Sequence, residues 1–130
     1  QGTVRVISGQ YNDAKGIEPK LVKASVFDVA LLPDQEFSLP VPDECTLITY
    51  LLEGGGNFDT SSQPLETRTA AVFGPGDTLS VTSGPKGARF MVFYGKPLRE
   101  PIAWGGPIVM NTEDELQMAF TELRYGSFIK

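Results

Sequence analysis

Histidine is absent from all 130 residues, cysteine occurs once and tryptophan once. Without imidazole there is no two-histidine, one-carboxylate iron site and no His-based zinc site, and a single thiol cannot build a Cys-rich one. Ser/His/Asp and Cys/His nucleophile pairs are excluded for the same reason. Cys45 cannot form an internal disulfide, so an oxidising compartment is not implied. At a strand start it reads as a small buried hydrophobe rather than a reactive thiolate. No apolar run approaches the ~20 residues of a membrane span, and no charged segment followed by an apolar one opens the chain. The sequence therefore reads as soluble and cytoplasmic. Basic residues are scattered, and 11 Lys and Arg against 16 Asp and Glu leave a formal charge of -5, which argues against a phosphate-binding surface and direct nucleic-acid contact.

What is abundant is turn chemistry. Fourteen glycines and ten prolines punctuate short runs of Val, Ile, Thr, Phe and Tyr, the pattern of one all-β domain with many turns. Thr3 to Ser8 reads as a strand, and "YNDAKG" as a loop ending in Gly16. "KLVKASVFDVALL" from Lys20 to Leu32 is a second strand, stopped by Pro33 and Asp34. Pro40 and Pro42 confine "FSLPVPDE" to an edge or an extended loop. "CTLITYLLEGGG" predicts a strand running into a hairpin turn at Gly54, Gly55 and Gly56. Thr67 to Phe73 is another strand, closed by a turn at Gly74 to Asp77 in which Gly76 can supply a positive φ. "TLSVT" and "ARFMVFY" are the last two strands, separated by "SGPKG".

One helix follows, from Thr112 to about Tyr125. Thr112 with Glu115 makes a capping box, Glu113 and Asp114 oppose the helix dipole, and Gly126 stands at the stop. Leu116, Ala119, Phe120 and Leu123 predict a single buried stripe.

Three ordered blocks carry a resemblance: "VRVISGQYNDAKG"; "VALLPDQEFSLPVP" followed by "ITYLLEG"; and "GKPLREPIAWGGPIVMNTEDELQMAFTELRYGSF". Together they resemble the C-terminal domain of the pirin family, in the cupin superfamily, over nearly the whole chain. The resemblance implies an all-β, cupin-type β-barrel (a double-stranded β-helix or jelly roll) with one C-terminal α-helix, spanning residues 1–130. It implies an N-terminal cupin domain, absent from this chain, that holds iron through three histidines and a glutamate. It also implies an iron-dependent, quercetin 2,3-dioxygenase-like activity in bacterial members and a protein-binding nuclear co-regulator in the mammalian one. The start at Gln1 rather than Met reads as a piece of a longer protein, or as Gln1 and Gly2 left by cloning.

Where a cupin presents its histidine pair, this chain has Leu39, Pro40, Val41 and Pro42. Glu53 survives in "LLEG" and reads as a solvated hairpin residue. No Asp-rich loop offers an oxygen-only Ca²⁺ or Mg²⁺ site, and "EGGGNF" lacks the ending of a phosphate loop. Trp104 is either an interface anchor or a plug sealing one end of the barrel, and the plug is the expectation. No catalytic, cofactor or metal residue is assigned. The preferred expectation is a non-catalytic barrel whose partner is the N-terminal cupin domain of the same protein. The alternative is a protein-interaction module for regulatory partners, and a third possibility is a barrel lumen that holds a small apolar molecule.

Overall fold

The computed structural model describes residues 2–59 and 63–129, and the chain divides into two compact units, Gln1–Pro97 and Leu98–Lys130. In the first unit β1 (Thr3–Ser8), β2 (Gln10–Tyr11), β3 (Ala14–Lys15), β4 (Ala24–Leu31), β5 (Glu36–Pro40), β6 (Thr46–Asn57), β7 (Leu65–Glu66), β8 (Ala70–Val72) and β9 (Thr78–Gly95) follow in order. The main sheet runs β1-β4-β9-β6-β7, with β5 also paired to β9 and β8 to β6, all antiparallel.

The alternation of burial along these strands explains the core. Phe27, Val29 and Leu31 on β4, Phe37 and Leu39 on β5, Leu47 and Leu51 on β6, and Leu79, Val81, Phe90 and Val92 on β9 point inward and form one cluster with Val41, Phe58 and Ala88. Phe90 lies at its centre, edge-on to Phe58 with ring centroids 4.8 Å apart and to Phe37 at 6.0 Å.

Two expected breaks in the sheet are not breaks. Gly54 to Gly56 do not form a hairpin turn. β6 runs straight through them to Asn57, with register shifts against β9 between Leu51 and Glu53 and between Gly54 and Gly56. Such bulges bend a strand without ending it. "SGPKG" likewise does not separate two strands, because β9 is continuous from Thr78 to Gly95 and changes partner along its length: Thr78–Thr82 pairs with β5, Ala88–Gly95 with β4. The flanking Ser83 and Ala88 pair with Gly56 and Gly54 of β6, and Gly87 takes φ 75°, so the insertion is a bulge within one strand rather than an end. The strand expected from Thr67 to Phe73 survives only as Ala70–Val72. Ahead of it Arg68 turns the chain at φ 66°, with its N–H donating to the Leu51 carbonyl. Gly76 is not among the positive-φ residues, and "YNDAKG" holds the small β2–β3 hairpin, turned at Asn12 with φ 50°. Pro40 behaves as expected, ending β5, whose ladder is with β9.

The second unit is a hairpin, β10 (Ala103–Gly105) and β11 (Ile108–Met110), with helix α1 (Glu113–Tyr125) packed on it. The capping box is complete: the Thr112 hydroxyl accepts from the Glu115 N–H at 3.3 Å, and Glu115 Oε2 accepts from the Thr112 N–H at 2.9 Å. Gly126 at φ 72° closes the helix, with the Ser127 N–H reaching the Glu122 carbonyl. Leu116 and Ala119 are buried with Ile108, and Phe120 packs at their edge, its ring lying where a side chain at position 105 would collide. The expected stripe stops there. Leu123 is half exposed, because three-residue strands cover only the first half of a 13-residue helix. Thr112→Ala should cost about 0.5–2 kcal/mol, while Phe120→Asp should release the helix from the hairpin; far-ultraviolet circular dichroism during a melt separates the two. Among the described residues no helix is long and apolar enough to cross a membrane.

Candidate functional site

The segment from Leu39 to Pro42 is where the sequence motif directs attention. β5 alternates Phe37 and Leu39 inward with Ser38 and Pro40 outward. Val41 continues the inward set, its N–H donating to the Asp77 carbonyl at 2.9 Å. Leu39 and Val41 are 3% and 4% exposed, so the inward positions at this place carry hydrocarbon. Leu39 pairs in register with Leu79 of β9, and both lie with Val41 in one buried cluster that includes Leu47, Leu51 and Phe90. Among the described residues no three His, Cys, Asp or Glu side chains come close enough to share a metal ion. A donor set of aliphatic carbons does not fit iron.

Glu53 lies on the outward face of β6, not in a hairpin. It joins an ion-pair cluster that crosses three strands. Arg89 donates from Nε to Asp28 Oδ1 at 3.1 Å and from Nη2 to Oδ2 at 2.8 Å, while its Nη1 reaches Glu53 Oε1 at 3.3 Å. The fork on Asp28 is the bidentate geometry that makes Arg–carboxylate pairs strong. Asp28 is the most sheltered of the three carboxylate and guanidinium groups, and Arg5 stands beside it in register on β1. The hydrogen bonds from Arg89 hold the Asp28 carboxyl below its ordinary value; burial opposes this, and the charges of Arg89 and Arg5 add to it. A carboxyl whose folded pKa is depressed stabilises the fold above the unfolded value near about 3.9 and loses that contribution as pH falls through the folded pKa. Urea midpoints of the parent and Asp28→Asn should therefore differ at neutral pH and converge in acid, as pH falls through the depressed folded value.

Cys45 is half-buried just before β6, packed against the core, so it is less enclosed than a buried hydrophobe. Trp104 lies on β10 of the second unit, with Nε1 donating to the Gly106 carbonyl at 2.8 Å. It pairs with Val109 across the hairpin, on the face turned away from α1.

Sequence reasoning missed the most distinctive surface. On the outward face of the sheet, register places Val72 of β8, Ile48 of β6, Phe93 of β9 and Val26 of β4 side by side in one row. Tyr50 and Met91 form the next row, ending at Asp28. Ile48, Tyr50 and Phe93 are 37–39% exposed and Val72 72%. The result is an apolar band bordered by the Asp28–Arg89–Glu53 cluster. Its signal lay in "ITYLL" and "FMVFY", whose strands are apolar on both faces.

Residues 26–129 match the family model of the pirin C-terminal cupin domain. The chain is 36% identical to a putative quercetin 2,3-dioxygenase of Thermoplasma acidophilum, over 99% of this chain and 49% of that protein. It is 36% identical to human pirin, over 94% of this chain and 43% of that protein. Among solved structures, a quercetin 2,3-dioxygenase from Acinetobacter baumannii superposes with a TM-score of 0.87 at 35% identity, covering 96% of this chain and 43% of the other. The chain thus spans less than half the length of these relatives. An isolated cupin domain of an Enterobacter cloacae transcriptional regulator, at 12% identity and TM-score 0.56, shares the fold. Sequence blocks, strand order and superposition agree: this chain belongs to the pirin family, and its fold is that of the family's C-terminal cupin domain.

Proposed function

We propose that this chain is the non-catalytic half of a pirin-type protein, and that it docks through the outward band of β8, β6, β9 and β4 onto the N-terminal cupin half that carries the iron and the chemistry. The observation that carries the reading is the band itself. Large side chains in register across four strands, rimmed by charges, have the anatomy of an interface, apolar at the centre and polar at the edge. Length supports this choice of occupant: the matched relatives are about twice as long as this chain. The whole protein's activity, by likeness to proteins named quercetin 2,3-dioxygenase, is oxidation of a flavonol by dioxygen. This half then contributes rigidity and a docking face.

The test is to express the N-terminal half separately and titrate it with this chain. Ile48→Lys combined with Phe93→Asp, which sets opposite charges across from each other on β6 and β9, should keep the domain folded by circular dichroism and weaken association by ~100-fold or more. Unchanged association would move the interface elsewhere.

A further inference from the structure

The chain leaves the main sheet after β1 and returns to it through a narrow base. There the Gly16 N–H donates to the Gly9 carbonyl at 2.9 Å, and the Gly9 N–H to the Ile17 carbonyl at 3.2 Å. The base is pressed against its neighbours: a Cβ at Gly9, which takes φ 85°, would stand 2.5 Å from Ser25 Oγ on β4, and one at Gly16 2.5 Å from the Ile7 carbonyl oxygen on β1. Beyond it stands the β2–β3 hairpin, with Gln10 opposite Lys15 and Tyr11 opposite Ala14. A two-stranded hairpin this short is not stable by itself in water. Gln10, Asn12, Asp13, Ala14 and Lys15 are exposed, and Tyr11 alone is half-buried. Its ring packs on the main core, with its centroid 6.1 Å from that of Phe27 on β4 and 6.1 Å from that of Phe37 on β5. β4 and β5 pair with different lengths of β9, and Tyr11 reaches both. Gln10 and Lys15, on the face of the hairpin opposite Tyr11, line a cleft of about 360 Å³ together with Glu18, Pro19 and Lys23. The hairpin is thus held to the core by one ring and has open space behind it.

We propose that Gln10–Lys15 is a strap over the core of the β domain, hinged at the Gly9–Gly16 base and latched by Tyr11, and that it opens as a unit while the rest of the domain stays folded. Opening lifts the Tyr11 ring off Phe27 and Phe37, which are 0% and 9% exposed under the closed strap. The apolar surface uncovered in this way keeps the closed form dominant. The motion stops at the base, because the backbone bonds of Gly9, Gly16 and Ile17 tie it to β1.

Native-state hydrogen exchange on this chain, read residue by residue by NMR, is the test. The hydrogen-bonded amides of the β2–β3 ladder should exchange ~100-fold or more faster than those of Val29 and Val92 in the core strands. Their rates should also stay flat in dilute urea that accelerates the core amides, since a local opening exposes little surface. Tyr11→Ala should speed strap exchange by a further ~10-fold, whereas Tyr11→Phe, which keeps the ring, should stay near the parent. If Tyr11→Ala fails to fold, the urea dependence in the parent decides alone. Strap amides that exchange in step with Val29 and Val92 and share their urea slope would overturn the proposal, as would strap exchange at the rate of an unstructured peptide or a rate indifferent to Tyr11→Ala.

Discussion

Phe90→Ala should destabilise the β domain by about 3–5 kcal/mol, a large share of the ~5–15 kcal/mol that holds a domain of this size together. The ring has no exposed surface and touches the rings of Phe37 and Phe58, so its removal leaves a void bounded by β5, β9 and the segment after β6. Phe93, three residues along the same strand, is the control. It faces outward and is 39% exposed, so Phe93→Ala should cost about 1 kcal/mol or less. Urea unfolding of both variants measures the contrast. Equal losses would mean that the inward and outward faces of β9 are not as described.

Gly54→Ala should be nearly as damaging, for a backbone reason. Gly54 has φ 74° within β6, and a Cβ there would stand 2.0 Å from the Gly87 carbonyl oxygen. Gly87 is itself at φ 75°, with its own Cβ position 2.6 Å from the Leu31 carbonyl. At this crossing three strands approach more closely than any side chain permits. The left-handed conformation alone costs an alanine roughly 1–2 kcal/mol, and the overlap forces the bulge to shift as well, for a total of about 3 kcal/mol or more. Gly76→Ala, with no positive φ and no atom within 4 Å of the added carbon, should be close to neutral. The yield of folded protein and the urea midpoint distinguish the pair.

The same glycines show where sequence reading reached its limit. The two ends of the helix were legible because a capping box and a left-handed C-terminal glycine act within a few residues, and both Thr112–Glu115 and Gly126 do so. Pro40 at the end of an edge strand is equally local. Gly54–Gly56 and Ser83–Gly87 look like turns in a short window, and only the pairing of β6 with β9, residues far apart in sequence, makes them bulged interior strand. Leu123 obeys the helical period, yet its burial depended on the length of a hairpin that the period does not encode. Trp104 carries no local signal for its direction; its strand neighbours Ala103 and Gly105 occupy the helix-facing side and send the indole the other way. The family was legible from three motif blocks, but the docking band was not, since it exists only after register brings four strands together.

The proposal that any dioxygen chemistry of the whole protein lies outside this chain can be tested on the chain itself. Its physical basis is the Leu39–Val41 pair, buried hydrocarbon at the segment where the family resemblance implies histidine ligands, in a sequence with no histidine. The most direct test is to purify the chain without chelators, supply it anaerobically with Fe(II), remove unbound metal, and follow quercetin consumption together with dioxygen uptake. The account predicts iron far below one per chain and quercetin loss no faster than in protein-free buffer. Stoichiometric iron with quercetin turnover by this chain alone would contradict it.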